Sequence, residues 1–246
     1  VSLANPADPV IVGSWSTRYV HEAQVVTYTS GPYAGREIAY CYTGSAGIDV
    51  IDVTNKSSMT RIGGINYSGV RYSHQGWLTD DKQYLYMNDE LDEGASVSVC
   101  TTRIFNVSNP ASPTLVGSFT NGLSVIDHNL YIKGNKLYES NYRSGVRVFD
   151  ITNRLSPVEV GYFDTYPGSD SFQFNGNWNN YPYFASGTIV LSDIERGLFI
   201  LGEGDFPLPS INIEFVSAPT QLSPGVATPI VADIEAVGGE ELSPGG

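Results

Sequence analysis

Positive charge is scarce in this chain: 13 Lys and Arg stand against 26 Asp and Glu in 246 residues, a formal net charge of −13. So acidic a surface repels phosphodiester backbones and anionic lipid, which removes nucleic-acid and membrane-surface binding as leading functions. Long apolar runs are missing too. No stretch reaches the length of a bilayer span and no basic segment leads into an apolar one at the start, so no direct membrane insertion is expected within the chain. It opens on Val1 rather than Met, which fits a removed leader or a segment of something longer. Cys41 and Cys100 are too few for a disulfide framework and allow either one bridge or two buried thiols. Helical periodicity is absent, and so are a Gly-x-Ser-x-Gly elbow, a cysteine beside an obvious base and a Gly-rich loop opening a helix. Hydrolase triads and nucleotide sites are therefore unsupported.

Aromatic residues, by contrast, are plentiful: 16 Tyr, 10 Phe and 3 Trp within a hydrophobic fraction of 41% supply the material of a packed core. They fall in a repeat. One phrase recurs four times, at Asn5 to Gly13, Asp52 to Gly63, Asn106 to Gly117 and Asp150 to Gly161, with closing glycines 50, 54 and 44 residues apart. Before the last three phrases runs an alternating stretch such as Ile48-Asp49-Val50-Ile51, Thr102-Arg103-Ile104-Phe105 or Val146-Arg147-Val148-Phe149, and Leu198-Phe199-Ile200-Leu201 is a fourth. Alternation marks strands, the Asn/Asp-rich clusters mark turns, and a period near 45 to 55 residues suits one four-stranded propeller blade per repeat. A β-sandwich has similar turn spacing but no reason to repeat the phrase.

The stretches Tyr72-Ser73-His74-Gln75-Gly76-Trp77, Asn88-Asp89-Glu90-Leu91-Asp92-Glu93, Ile126-Asp127-His128-Asn129-Leu130-Tyr131 and Asn141-Tyr142-Arg143-Ser144-Gly145 resemble, as a set, the C-terminal blades of the LVIVD-repeat β-propellers of choice-of-anchor B bacterial surface proteins. The resemblance covers residues 1 to about 202 and implies a secreted or cell-surface location. The expectation is an all-β chain with about four four-stranded blades, part of a ring of about seven within the usual range. A compact four-bladed ring, closed by Pro9 to Trp15 as the last strand, is the alternative; the fragment reading instead leaves an apolar blade face exposed and the chain prone to associate. Residues 1–202 form the propeller part, 203–210 a linker, and 211–246 the start of an incomplete immunoglobulin-like module or a disordered tail.

Candidate functional residues come from the same repeat. His21, His74 and His128 follow the closing glycines by 8, 11 and 11 residues, and Asn175 is the counterpart in the fourth repeat. These positions open the innermost strands, so His21, Glu22, His74, Gln75, Asp127, His128, Asn129 and Asn175 are the expected ligand-binding set. Imidazoles, carboxylates and amides brought together around an axis can hold a divalent metal, calcium or a transition metal, or can simply tie blade to blade. Asp89, Glu90, Asp92 and Glu93 form a second candidate, an acidic loop whose oxygens suit a hard cation but lack a recognised calcium-loop spacing. The expected function is a non-catalytic extracellular or cell-surface scaffold for a protein or glycan partner. The alternative is a lactonase- or esterase-like propeller hydrolase with a metal held by the axial histidines.

Overall fold

The computed structural model describes residues 1–206, 210–217 and 231–237. Four successive antiparallel sheets account for most of them. The first contains β1 (Glu22–Thr27), β2 (Glu37–Tyr42), β3 (Ile48–Asp52) and β4 (Thr60–Ile65); the second, β5 (Ser73–Leu78), β6 (Tyr84–Asp89), β7 (Thr101–Asn106) and β8 (Thr114–Thr120). The third contains β9 (Asn129–Lys133), β10 (Lys136–Ser140), β11 (Val146–Asp150) and β12 (Val158–Phe163). The fourth has three strands, β13 (Asn177–Tyr181), β14 (Ile189–Asp193) and β15 (Gly197–Leu201). Each is a meander in chain order, the grammar of a propeller blade.

The repeated phrase has a local cause. Asp52, Asn106 and Asp150 each accept a hydrogen bond from the backbone N–H two residues on, at Thr54 (3.0 Å), Ser108 (3.0 Å) and Thr152 (2.7 Å). Asn55, Asn109 and Asn153 repeat the device toward Ser57, Ala111 and Leu155. Two Asx turns in succession reverse the chain between the third and outer strands, which is why Asp/Asn and Asn keep their spacing from blade to blade. Gly47 and Gly145 stand at matching turns before β3 and β11 with φ of +83° and +73°, where a Cβ would strike the carbonyls of Ile65 and Phe163.

The cores lie between the blades. Tyr40, Tyr42 and Val50 of the first pack on Leu78, Leu85, Met87 and Phe105 of the second. Tyr86 and Ile104 of the second meet Leu130, Leu137 and Phe149 of the third, and Tyr138, Val146 and Val148 meet Ile189, Leu191 and Leu201 of the fourth. The inner strands β1, β5, β9 and β13 succeed one another side by side. The arrangement is a row of β-propeller blades.

One alternative is corrected. The fourth blade lacks an outer strand among the described residues, and Pro9 to Trp15 does not supply one. Gly13 instead lies against the Lys56 carbonyl, and Trp15 packs on the apolar face made by Ala39, Cys41, Ile51 and Val53. That pocket belongs to the first blade, so the opening segment follows its hydrophobic partner and not the free edge of β15. Leu198 and Ile200 on β15 are 65% and 68% exposed, and Val25 on β1 is 55% exposed, so both outermost blades keep apolar side chains in the open. Cys41 and Cys100 are free and buried. Gly202 is followed by a short turn, Glu203–Asp205, and Ser210–Ser217 (β16) pairs with Val231–Val237 (β17). The remainder of the expected immunoglobulin-like module or tail lies outside the described residues. No helix among them is long and apolar enough to cross a membrane.

Candidate metal centre

The start of each inner strand contributes one ring to a continuous row. His21 just precedes β1, His74 is the second residue of β5, His128 just precedes β9 and Trp178 is the second residue of β13. Their centroids are 4.4 Å apart from His21 to His74, 4.3 Å from His74 to His128 and 4.8 Å from His128 to Trp178. The pairing register slips between Ser73 and Gln75 and again between Asn177 and Asn179, so His74 and Trp178 sit at matching bulges. A bulge re-aims a side chain, and here it turns both residues toward the row.

The hydrogen bonds fix the histidine tautomers. His74 Nδ1 lies 3.0 Å from the His128 carbonyl oxygen, and His128 Nδ1 lies 2.6 Å from that of Trp178. A carbonyl only accepts, so each Nδ1 carries the proton and each neutral ring keeps a lone pair on Nε2. Both Nε2 atoms face one carboxylate: His74 Nε2 is 3.7 Å from Glu90 Oε2 and His128 Nε2 is 3.5 Å from Glu90 Oε1. Burial holds the rings neutral, lowering His74 to about 3, with the neighbouring His128 and His21 adding to the effect, and His128 to about 4. These contacts are therefore not ion pairs at neutral pH. Burial also raises Glu90, against the hydroxyl of Tyr142, which donates to Glu90 Oε1 at 2.6 Å.

Two lone pairs and a carboxylate thus converge, with their ligand atoms within 4.8 Å of one another. A single proton on Glu90 satisfies one nitrogen at most; a divalent cation satisfies all three groups. Donation of Nδ1–H to a backbone carbonyl is the usual support of a metal-bound imidazole, and two histidines with one glutamate form a ligand set known for zinc and non-haem iron. Tyr142 reaches Glu90 from a backbone with φ of +42°, unusual for a bulky residue, and its carbonyl accepts from the Asn177 N–H at 2.9 Å.

The other candidates have separate places. His21 is exposed, and its Nδ1 lies 2.9 Å from both the Tyr19 and Tyr72 hydroxyls, flanking the centre. Glu22 is half-buried and burial raises its pKa. Gln75 is a strut: its amide donates to the Leu130 carbonyl at 3.0 Å and accepts from the Leu130 N–H at 2.9 Å. Asn129 donates to the Trp178 carbonyl at 3.3 Å, and Asn175 lies off the row, bound to Arg143 and Glu195. Trp178 takes the place expected for Asn175, because the fourth inner strand begins later than its repeat spacing implies.

The acidic loop does not act as one site. Asp89 accepts from Tyr67, Arg71 and Tyr72 and so pins the loop that carries Tyr72. Asp92 pairs with Arg103, Glu90 joins the histidines, and Glu93 turns inward beside Asp127 and Cys100. The aromatic residues divide likewise. Trp178 stays at the histidine end of the strands, whereas Trp77, Tyr131, Tyr183 and Tyr181 contact one another in sequence toward the other end.

Two stretches of the sequence, residues 39–66 and 103–121, match the profile of the LVIVD repeat. The chain carries LVIVD repeats. The first stretch spans most of β2 through β4, and the second runs from within β7 to the end of β8. Among solved structures, a protein from Lactobacillus plantarum is similar at 16% identity with a TM-score of 0.53, covering 67% of this chain and 50% of that one. A functionally unknown protein from Desulfotomaculum acetoxidans is similar at 16% identity with a TM-score of 0.51, covering 68% of this chain and 51% of the other. The chain spans about half the length of both, and the likeness bears on the fold alone. No curated protein matches the sequence significantly.

Glu139 offers a test of the electrostatics of the buried interior. It is fully buried, accepts from Thr102 Oγ1 at 2.5 Å and Asn141 Nδ2 at 3.2 Å, and burial raises it to about 7 from an ordinary 4.5. The folded state therefore holds a proton that the unfolded state gives up. Its stabilising effect is full below pH 4.5 and is lost as pH rises through about 7. Chemical denaturation of Glu139→Gln from pH 5 to 8 should lack a decline of about 3 kcal/mol that the parent shows. Equal declines in both would contradict this.

Proposed function

We propose that the chain is a binding propeller in which a divalent transition metal, held by His74, Glu90 and His128, anchors a ligand at one end of the inner strands. One observation carries the reading: both Nδ1 protons are committed to carbonyls, so both Nε2 lone pairs meet the same carboxylate. Three protein ligands leave coordination positions open. The half-exposed rings of Trp178 and Phe174 border the centre through Tyr142 and offer a stacking surface for a sugar or aromatic ring. An extracellular or cell-surface scaffold for a glycan or protein partner fits the net charge of −13 and the likeness to choice-of-anchor B surface proteins.

The test begins with the intact protein stripped of metal and titrated with Zn²⁺, followed by a glycan array run with and without a chelator. Zinc uptake at the histidine centre and metal-dependent glycan binding are expected. A protein that takes up no zinc there would overturn the reading. The open metal positions also favour a second reading, a metal-dependent hydrolase of esters or lactones, because a bound water becomes acidic enough to attack at neutral pH. Turnover of an ester and lactone panel by the zinc-loaded protein, lost in His128→Ala, would replace the first reading with the second; retained zinc without turnover supports the first.

A further inference from the structure

Three residues beyond Glu90 the same loop turns into the interior, where Glu93, Cys100 and Asp127 come together. Glu93 is 9% exposed, Cys100 2% and Asp127 0%, and one ligand atom from each lies within 4.8 Å of the others. Asp127 accepts no hydrogen bond at either carboxylate oxygen, and Glu93 Oε2 accepts none. Only Glu93 Oε1 has a partner, the Asp127 N–H at 3.4 Å. Buried carboxylate oxygens without donors are costly and rare. No guanidinium donates to these oxygens: Arg103 pairs with Asp92, and Arg147, whose charge reaches Cys100, donates to the Ser144 carbonyl and to Glu159.

Backbone hydrogen bonds hold the Glu93 and Cys100 segments. The Asp92 carbonyl accepts from the N–H groups of Ala95, Ser96 and Val97, the Glu93 segment bridges Val97, and the Cys100 N–H donates to the Leu123 carbonyl at 2.9 Å. The donor set combines two carboxylates with a thiol. Oxygen donors alone suit calcium, whereas a thiolate selects a softer ion.

We infer that Glu93, Cys100 and Asp127 form a second, buried cation site that takes a divalent ion of the zinc class. Binding replaces the Cys100 S–H bond by a sulfur–metal bond, and the thiol proton, with any proton the two carboxylates share, passes to solvent. The ion's two charges offset those of Glu93 and Asp127. This site does not depend on the histidine centre.

The probe is Cd²⁺ added to the intact, metal-stripped protein, read as the ultraviolet thiolate-to-cadmium charge-transfer band. The parent should develop the band at one equivalent of a two-equivalent titration. Cys41→Ser and the double variant His74→Ala/His128→Ala should keep it, the latter taking up one equivalent fewer. Cys100→Ser should lose it, and Asp127→Asn, which keeps the thiol, should need at least about tenfold more cadmium. A parent without the band, or a band lost in Cys41→Ser and kept in Cys100→Ser, overturns the site; in that case Glu93 and Asp127 share a proton instead. Because the histidine double variant is read separately, failure of the first centre leaves this result standing.

Discussion

Replacing His128 by alanine should reduce zinc affinity by at least about 100-fold in isothermal titration of the metal-stripped protein. The variant removes one of three protein ligands, and loss of an outer-shell partner alone commonly costs 10- to 100-fold. It also removes the shorter of two hydrogen bonds to the Trp178 carbonyl, so Tyr142→Phe is the gentler companion. That change deletes only the hydroxyl that donates to Glu90 at 2.6 Å and should weaken zinc by about tenfold or more with little loss of stability. His21→Ala should stay within about threefold of the parent, because His21 flanks the centre through its ring and lies outside the three converging groups. Equal affinities for His128→Ala and the parent would contradict the account.

Arg103→Met should destabilise the second blade strongly. Arg103 and Asp92 are side chains 6% and 0% exposed, and Arg103 also lies over the Tyr67 ring, 4.8 Å from its centroid. Burial lifts Asp92 to about 6 even against the arginine's charge, so the carboxylate is still ionised at neutral pH. Removing the arginine strands that charge in the interior at a cost of about 3–5 kcal/mol. For a domain of this size the loss corresponds to roughly 10 °C in melting temperature. Asp92→Asn combined with Arg103→Met should recover part of it, since the Asp92 charge is removed together with its partner. A melting curve for Arg103→Met within a degree or two of the parent would show that the pair carries no such weight.

The blades were legible because their cause is local. Asp52, Asn106 and Asp150 each build an Asx turn, and a turn needs its residue at a fixed offset whatever the rest of the fold does. The histidine row was legible for a related reason: His21, His74 and His128 recur at the same place relative to each blade. Glu90 was harder to place. It stood in the sequence as one of four clustered carboxylates, and nothing local separates it from Asp89, which pins a loop, or Asp92, which pairs with Arg103. Their division depends on which way the chain turns after β6. The place of Trp178 in the row was missed because the connection from β12 to β13 is longer than its counterparts, so the fourth inner strand begins later than spacing from the closing glycine implies. The path of Pro9 to Trp15 was set by a pocket for Trp15 on the first blade, a tertiary contact that edge closure alone does not anticipate.

Anomalous diffraction at the zinc edge from crystals grown with Zn²⁺ tests the central claim most directly. The account predicts a peak bonded to His74 Nε2 and His128 Nε2 at about 2.0–2.1 Å and to a Glu90 oxygen at about 2.0–2.2 Å, with at least one further position open to water or ligand. No peak between these three side chains, whether or not zinc is bound at another site, would contradict it.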